Sequence, residues 1–215
     1  MKSKNQMWLF NPNMDYANKK IVIVWVWWVG SVSAYYLSQM WCNNITIIDM
    51  DEVEIHNTMS QFYKASDVGK LKTLALQQNI KDFNEIDINT INWEYNKSMI
   101  EWADIVISAV DNMDIRKIIL DDCLALNIEY FIEARMSWEV FMIFTINPFS
   151  QYDDWLSMWY PSSEADQEIC TMKSISYNTW FIGSYICKIT RDILMEKTTP
   201  FMVSVNLEDY SFTSI

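Results

Sequence analysis

The chain has 215 residues, 51% of them hydrophobic, and a formal net charge of -12. That length suits one domain with ample apolar material for a core, and so acidic a surface would repel a phosphate backbone, which excludes nucleic acid as a bulk partner. No run reaches 18 uninterrupted apolar residues, so neither a signal peptide nor a membrane span is expected.

Residues 20–24 (Lys-Ile-Val-Ile-Val) are a β-branched apolar run, the mark of a strand buried on both faces of a parallel sheet. The segment Trp25-Val26-Trp27-Trp28-Val29-Gly30-Ser31 follows, and a helix is expected from there to about Met40. A second buried strand, 45–49, ends on Asp49; a helix is expected over 68–83 and a weaker, alternating strand over 88–93. Residues 104–110 predict a strand, 112–127 a helix, and 129–133 and 139–147 two further strands, the last alternating and a candidate for antiparallel pairing. Residues 148–172 break into Pro, Ser, Asp and Trp and read as an irregular loop, and 173–195 as a long final helix. Strand and helix alternating at this spacing predict a Rossmann-like α/β fold, a mostly parallel sheet with helices on both faces. The whole of 1–215 is expected to be one domain, with its core over about 18–147.

None of the four cysteines, Cys42, Cys123, Cys170 and Cys187, are paired as C-x-x-C, and His56 is the one histidine, so no zinc site is expected. Cysteines without a disulfide framework fit a cytoplasmic protein. The glycine count is anomalous. At about 7% usage roughly 15 would be expected, whereas the chain has 3 glycines and 11 tryptophans. With glycine at Trp25, Trp27 and Trp28 the first loop reads G-V-G-G-V-G-S between a strand and a helix, a cradle for nucleotide phosphates in its required context. Such a loop needs glycine because the chain turns through positive φ and its N–H groups approach phosphate oxygens closely. Trp41, at the expected end of the first helix, Trp138, at an expected tight turn, and Trp180, in a small-residue stretch of the last helix, also stand where glycine suits. A UGA codon read as Trp in this translation and as Gly in the source would produce this pattern. A tryptophan-rich, inactive relative is the alternative.

The order of motifs resembles the ThiF/MoeB and ubiquitin-activating family over roughly residues 18–190. That family follows its Gly-rich loop with D-x-D-x-V-E, an N-L-x-R-Q-type segment, G-x-x-K, and later an Asp-Asn pair with an Arg close behind. This chain has Asp49-Met50-Asp51-Glu52-Val53-Glu54, then Asn57-Thr58-Met59-Ser60-Gln61, then Gly69-Lys70-Leu71-Lys72, then Asp111-Asn112 and Arg116. The resemblance implies an ATP- and Mg²⁺-dependent adenylyltransferase. Its substrate would be the C-terminal carboxylate of a small ubiquitin-like or sulfur-carrier protein, and it would act as a homodimer.

The same resemblance assigns roles to positions that match. Trp25, Trp27, Trp28, Gly30 and Ser31 form the phosphate loop. Asp49 accepts from ribose hydroxyls, with a turn cap as its alternative, and Asp51 borders the same pocket, with a solvated turn carboxylate as its equal alternative. Asn57 and Gln61 donate to phosphate or line the pocket, unless they are loop caps. Lys72 places a cation on the phosphates. Asp111 holds Mg²⁺, and Arg116 supports the Asp111 loop unless it is a surface ion pair. Cys170 is the candidate thioester nucleophile, with a buried structural thiol as the equal alternative. His56 reads as a loop residue, and the other three cysteines as structural. Two departures stand out: Ser60 replaces an arginine of the pattern, and no arginine near the N-terminus resembles the one that dimer partners lend. An NAD-dependent oxidoreductase on the same fold, and a catalytically dead binding module if the loop tryptophans are literal, are the other readings.

Overall fold

A computed structural model of the chain describes residues 18–40, 42–164 and 175–215. Among these, strands β1 (Ile21–Val24), β2 (Ile45–Ile48), β3 (Asn89–Ile91), β4 (Ile105–Ser108) and β5 (Tyr130–Ser137) pair in parallel in the order β3-β2-β1-β4-β5. Strands β6 (Val140–Ile146), β7 (Met202–Asn206) and β8 (Ser211–Ser214) extend the same sheet beyond β5 in antiparallel fashion. The helices are α1 (Trp28–Gln39), α2 (Lys72–Asn84), α3 (Met113–Ala125), α4 (Tyr152–Leu156) and α5 (Ser176–Leu194). This is the Rossmann-like α/β architecture expected from the sequence, with its late strands antiparallel.

The side-chain period of two splits the strands between two cores. Ile21 and Ile23 of β1, with Ile45, Ile47, Ile105 and Ile107, pack against α1, α2 and α5 through residues such as Leu37, Leu76 and Ile186. Val22 and Val24, with Val106 and Phe131, pack on the other face against α3 and α4 through Ile119, Leu120 and Trp155. Burial on both faces explains why these strands read as unbroken apolar runs. The chain order reverses between β1 and β4, the position at which ligands bind in open sheets of this kind.

Several boundaries differ from the sequence reading, each for a local reason. The helix expected from 68 begins at Lys72, because the stretch before it pairs with the chain after β2: Gly69 N–H donates to Val53 O (2.8 Å), Val53 N–H to Lys70 O (2.8 Å), and Glu52 bridges Leu71. The loop from 148 contains the short helix α4 and a 3-10 turn at Ser162–Glu164. Strands β7 and β8 lie beyond the last expected element. In β7 only Val203 and Val205 alternate inward, and β8 is exposed throughout, so neither carries a strong apolar signature.

The β5–β6 hairpin closes between the paired residues Ser137 and Val140, leaving Trp138 and Glu139 as its two-residue loop. Trp138 has φ 51°, whereas Glu139 is not in the positive region. That is the φ pattern of a type II′ turn, which takes glycine at its first central position. The left-handed region strains a bulky residue by about 1 kcal/mol or more. Trp138 is also 46% exposed, so its indole recovers little by burial. W138G is therefore expected to raise stability by about 1 kcal/mol, seen as a higher urea midpoint at unchanged m. A lower midpoint would show the indole contributing more than the turn loses. Trp180 differs: it lies within α5, where its helical backbone makes no demand for glycine, and it packs on Tyr35, Tyr36 and Phe62 with ring centroids 5.9–6.2 Å away. Trp41 lies outside the described residues.

Candidate functional site

The loop from β1 to α1 is tied down on both sides. Trp25 N–H donates to Ile48 O (2.8 Å), Val26 N–H to Asp49 Oδ2 (2.9 Å), and the Tyr63 hydroxyl to Val26 O (2.7 Å). Trp25 sits at φ 67°. A Cβ added at Gly30 would meet the Trp25 carbonyl oxygen at 2.0 Å, so the turn closes only on glycine there. No side chain caps α1, which leaves its first N–H groups to an anion at the positive end of the helix. Ser31 is buried; its hydroxyl leans on Trp28 O (3.3 Å) and accepts from Phe62 N–H (3.2 Å).

Two cavities open at the carboxyl ends of the central strands. One, of about 490 Å³, is lined by Asp51, Asn57, Gln61 and Lys72. The other, of about 430 Å³, is lined by Asp111, Arg116, Arg135 and Tyr160. Trp27 and Trp28 are the residues that line both and so stand at the partition between them. Neither indole N–H has a hydrogen-bond partner among the described residues, although both are buried. Leaving a buried donor unpaired costs about 1–3 kcal/mol. The Trp27 ring also covers the Lys72 ammonium, with 4.6 Å from Nζ to the ring centroid.

In the first cavity the Lys72 side chain is only 2% exposed, and its Nζ pairs with Asp51 Oδ2 at 2.9 Å. Asp51 is part-exposed. Asp49, in contrast, is 2% exposed and lines neither cavity. Its carboxylate accepts from Val26 N–H and, at 2.8 Å, from Asp51 N–H, and so ties the loop to the end of β2. Burial pushes the Asp49 carboxyl above its ordinary range, against the opposing pull of Lys72 and of these two N–H donors. Asn57 likewise caps locally, accepting from Glu54 N–H at 2.7 Å. Gln61 is the outstanding residue. It is 5% exposed, and both atoms of its amide lack a partner among the described residues. A buried amide with nothing to bond needs a partner that the described residues do not supply. Ser60, also buried, has an unpartnered hydroxyl. His56 is exposed beside Glu54.

In the second cavity Asp111 is exposed just beyond β4, and Asn112 caps α3 by accepting from Asp114 N–H (2.9 Å) and Ile115 N–H (3.0 Å). Arg116 is buried, not a surface ion pair. It donates to Glu133 Oε1 and to Ala134 O, each at 2.7 Å, and to Val110 O next to Asp111. Glu133 is fully buried and also receives Arg135 Nε (2.5 Å) and the Trp155 indole N–H. Burial works against its charge, but Arg116 and Arg135 outweigh that and hold the carboxyl below its usual range.

The sequence reading passed over Glu133, Arg135 and Tyr63. For the first two a signal existed: charged residues two apart in an otherwise apolar strand share one face and must find partners inside the fold. Nothing in the sequence marks Tyr63. Cys170 lies outside the described residues. Cys42, Cys123 and Cys187 are buried; burial raises all three thiols, those of Cys42 and Cys187 to about 12, as befits structural cysteines.

No helix among the described residues is long and apolar enough to cross a membrane. The chain is 30% identical over 138 residues to ubiquitin-like modifier-activating enzyme 5 of Dictyostelium discoideum, a match covering 56% of this chain and 36% of that protein. It is 27% identical over 132 residues to adenylyltransferase and sulfurtransferase MOCS3 of the same organism, covering 59% and 31%. The chain thus spans about a third of the length of the curated relatives it matches. Among solved structures, E. coli MccB with ATP aligns over 93% of this chain and 64% of its own, at TM-score 0.74 and 16% identity. PaaA aligns over 93% and 64%, at TM-score 0.76 and 16% identity, and both likenesses speak for the fold. The sequence profile of the ThiF family matches residues 14–214, nearly the whole chain, and the protein accordingly belongs to the ThiF family.

Proposed function

We propose that the chain, carrying glycine at positions 25, 27 and 28, adenylylates the C-terminal carboxylate of a small ubiquitin-like or sulfur-carrier protein with ATP and Mg²⁺. The observation that carries this reading is the partition. The groups suited to a nucleotide stand on both sides of two indoles, and glycine would remove both and join the cavities into one. As printed, the loop does not fit ATP, because indoles fill the phosphate space and cover Lys72. The rest of the site does fit: Gln61 has an unpartnered amide, Lys72 a buried ammonium, and α1 an uncapped start.

The roles follow from these positions. Asp51, rather than the buried Asp49, faces the ribose, and Asp49 holds the loop. Lys72 and the N–H groups of α1 neutralise the phosphates, and Gln61 lines the pocket. Asp111 would hold Mg²⁺, one carboxylate with phosphate oxygens being a ligand set that ion favours. Arg116 fixes the Val110 carbonyl and so the Asp111 loop. The substrate carboxylate oxygen bonds to the α-phosphorus while the bond to pyrophosphate breaks, giving an acyl-adenylate; positioning and fixed charge carry the catalysis. Cys170 is the proposed acceptor of the acyl group, and a second copy of the chain the proposed dimer partner.

ATP–pyrophosphate exchange dependent on a Gly-Gly-ended partner tests the reading. The glycine-restored protein is expected to exchange, and K72A in that background to lose about 10²-fold or more. Exchange unaffected by K72A, or none with the partner encoded beside the gene, would count decisively against it. The codons are a separate check: TGG at 25, 27 and 28 would refute the glycine assignment.

A further inference from the structure

Among the described residues, the buried cluster under the second cavity is unbalanced. Glu133 supplies one carboxylate, with no solvent exposure, against the two guanidiniums of Arg116 and Arg135, whose side chains are 7% and 10% exposed. The other carboxylates among the described lining residues, Asp111 and Glu164, are exposed, and among the described residues neither pairs with a guanidinium. An uncompensated buried charge is unfavourable, and an anion entering the cavity would relieve it.

The two arginines make three hydrogen bonds each and differ in what holds them. Arg116 donates to Glu133, Ala134 O and Val110 O, and its Nε is buried without a partner among the described residues. Arg135 is clamped, and it too has N–H groups to spare. Nε and Nη2 lie on Glu133 (2.5 and 3.5 Å) and Nη1 on Met158 O (3.0 Å). A guanidinium carries five N–H groups, so these three bonds leave two. Its plane is fixed over the Phe144 ring, 4.5 Å from the centroid, with Trp155 at 5.8 Å. A guanidinium held this way, with N–H groups to spare, suits an anion that can accept from it.

We infer that Arg135 receives the terminal carboxylate of the incoming acyl substrate, with Glu133 and Arg116 as its fixed support. This rests on the adenylylation reading above, which puts the phosphates at Lys72 and the start of α1, at the first-cavity end of the joined site. The cavity beyond Asp111, reaching to Ser137 at the exposed hairpin and to Tyr160, is then left for the nucleophile. The excess of one positive charge matches a single carboxylate. That carboxylate stays an anion, held and oriented, until its oxygen bonds to phosphorus and pyrophosphate leaves with the electron pair of the broken bond.

The test compares a synthetic hexapeptide ending in Gly-Gly as free acid with the same peptide as C-terminal amide, by calorimetric titration of the glycine-restored protein. The acid is expected to bind about tenfold tighter or more, and R135Q to bring the two within about twofold. In exchange assays R135Q should raise the peptide KM and leave the ATP KM unchanged. Removing Arg135 leaves Arg116 and Glu133 as a balanced pair, and an ATP-induced thermal shift reports that the fold survives. Should R135Q not fold, R135M, which keeps the packing on Phe144 and Trp155, carries the same comparison. An acid preference retained without Arg135 overturns the inference. Exchange without any acid preference in the parent overturns it too and leaves adenylylation standing, whereas an Arg135-dependent preference with no exchange sinks adenylylation and leaves the carboxylate subsite standing.

Discussion

Replacing Trp25, Trp27 and Trp28 together by glycine is expected to convert a protein with no response to ATP into one that ATP stabilises. At a hundred times Kd, ligation contributes about 2.7 kcal/mol, which in a chain of this size raises Tm by about 5–10 °C. Three effects act in the same direction. The φ of 67° at position 25 becomes unstrained. The two indole N–H groups buried without partners disappear. The Lys72 ammonium is uncovered toward the joined cavity. Single reversions are expected to do less, because either indole left at 27 or 28 still lines both cavities. A thermal scan with and without ATP and Mg²⁺ decides. An equal ATP shift in the printed chain would show that the indoles do not block the site, and no shift in the triple variant would show that they are not the only obstacle.

The second large effect is on stability. Glu133→Ala leaves two buried guanidiniums without their carboxylate, and such a break costs about 3–5 kcal/mol. Chemical denaturation at neutral pH should show most of the protein's margin gone, and an unchanged midpoint would refute the picture of an internal charge cluster. The same residue sets an acid sensitivity. The Glu133 carboxyl titrates below its ordinary 4.5 in the folded state. Its contribution is therefore complete above that pH and is lost as pH falls through the lowered folded value. Asp49, with its carboxyl raised, acts in the opposite sense and gains relative stability in acid. Glu133→Gln should accordingly be less stable than the parent at neutral pH and lose less on acidification below pH 4.5.

The fold was legible because its central strands are buried on both faces, and each of β1, β2 and β4 appears as an apolar β-branched run. The motif order gathered Asp51, Gln61, Lys72, Asp111 and Arg116 into one site, and the structure divides them between two cavities. Spacing alone could not tell which carboxylate faces outward. Asp49 and Asp51 are two apart, and only the fold shows the first tied to Val26 and the second paired with Lys72. Strand β8 was illegible because Ser211–Ser214 has no buried face to impose a pattern. Glu133 and Arg135 were visible as charges in a strand, but their partners Arg116 and Trp155 come from elements distant in sequence.

The turn at Trp138 bears on how the gene should be handled. Its left-handed backbone has the same demand as Trp25, yet Trp138 lines neither cavity. Loss of the nucleotide site would not by itself place an indole at a turn that demands glycine outside the phosphate loop. A decoding mismatch strikes every such codon alike, whatever the position does. The hairpin therefore serves as an internal control on the phosphate loop, and it favours a synthetic gene with ordinary glycine codons as the form to express, crystallise and assay.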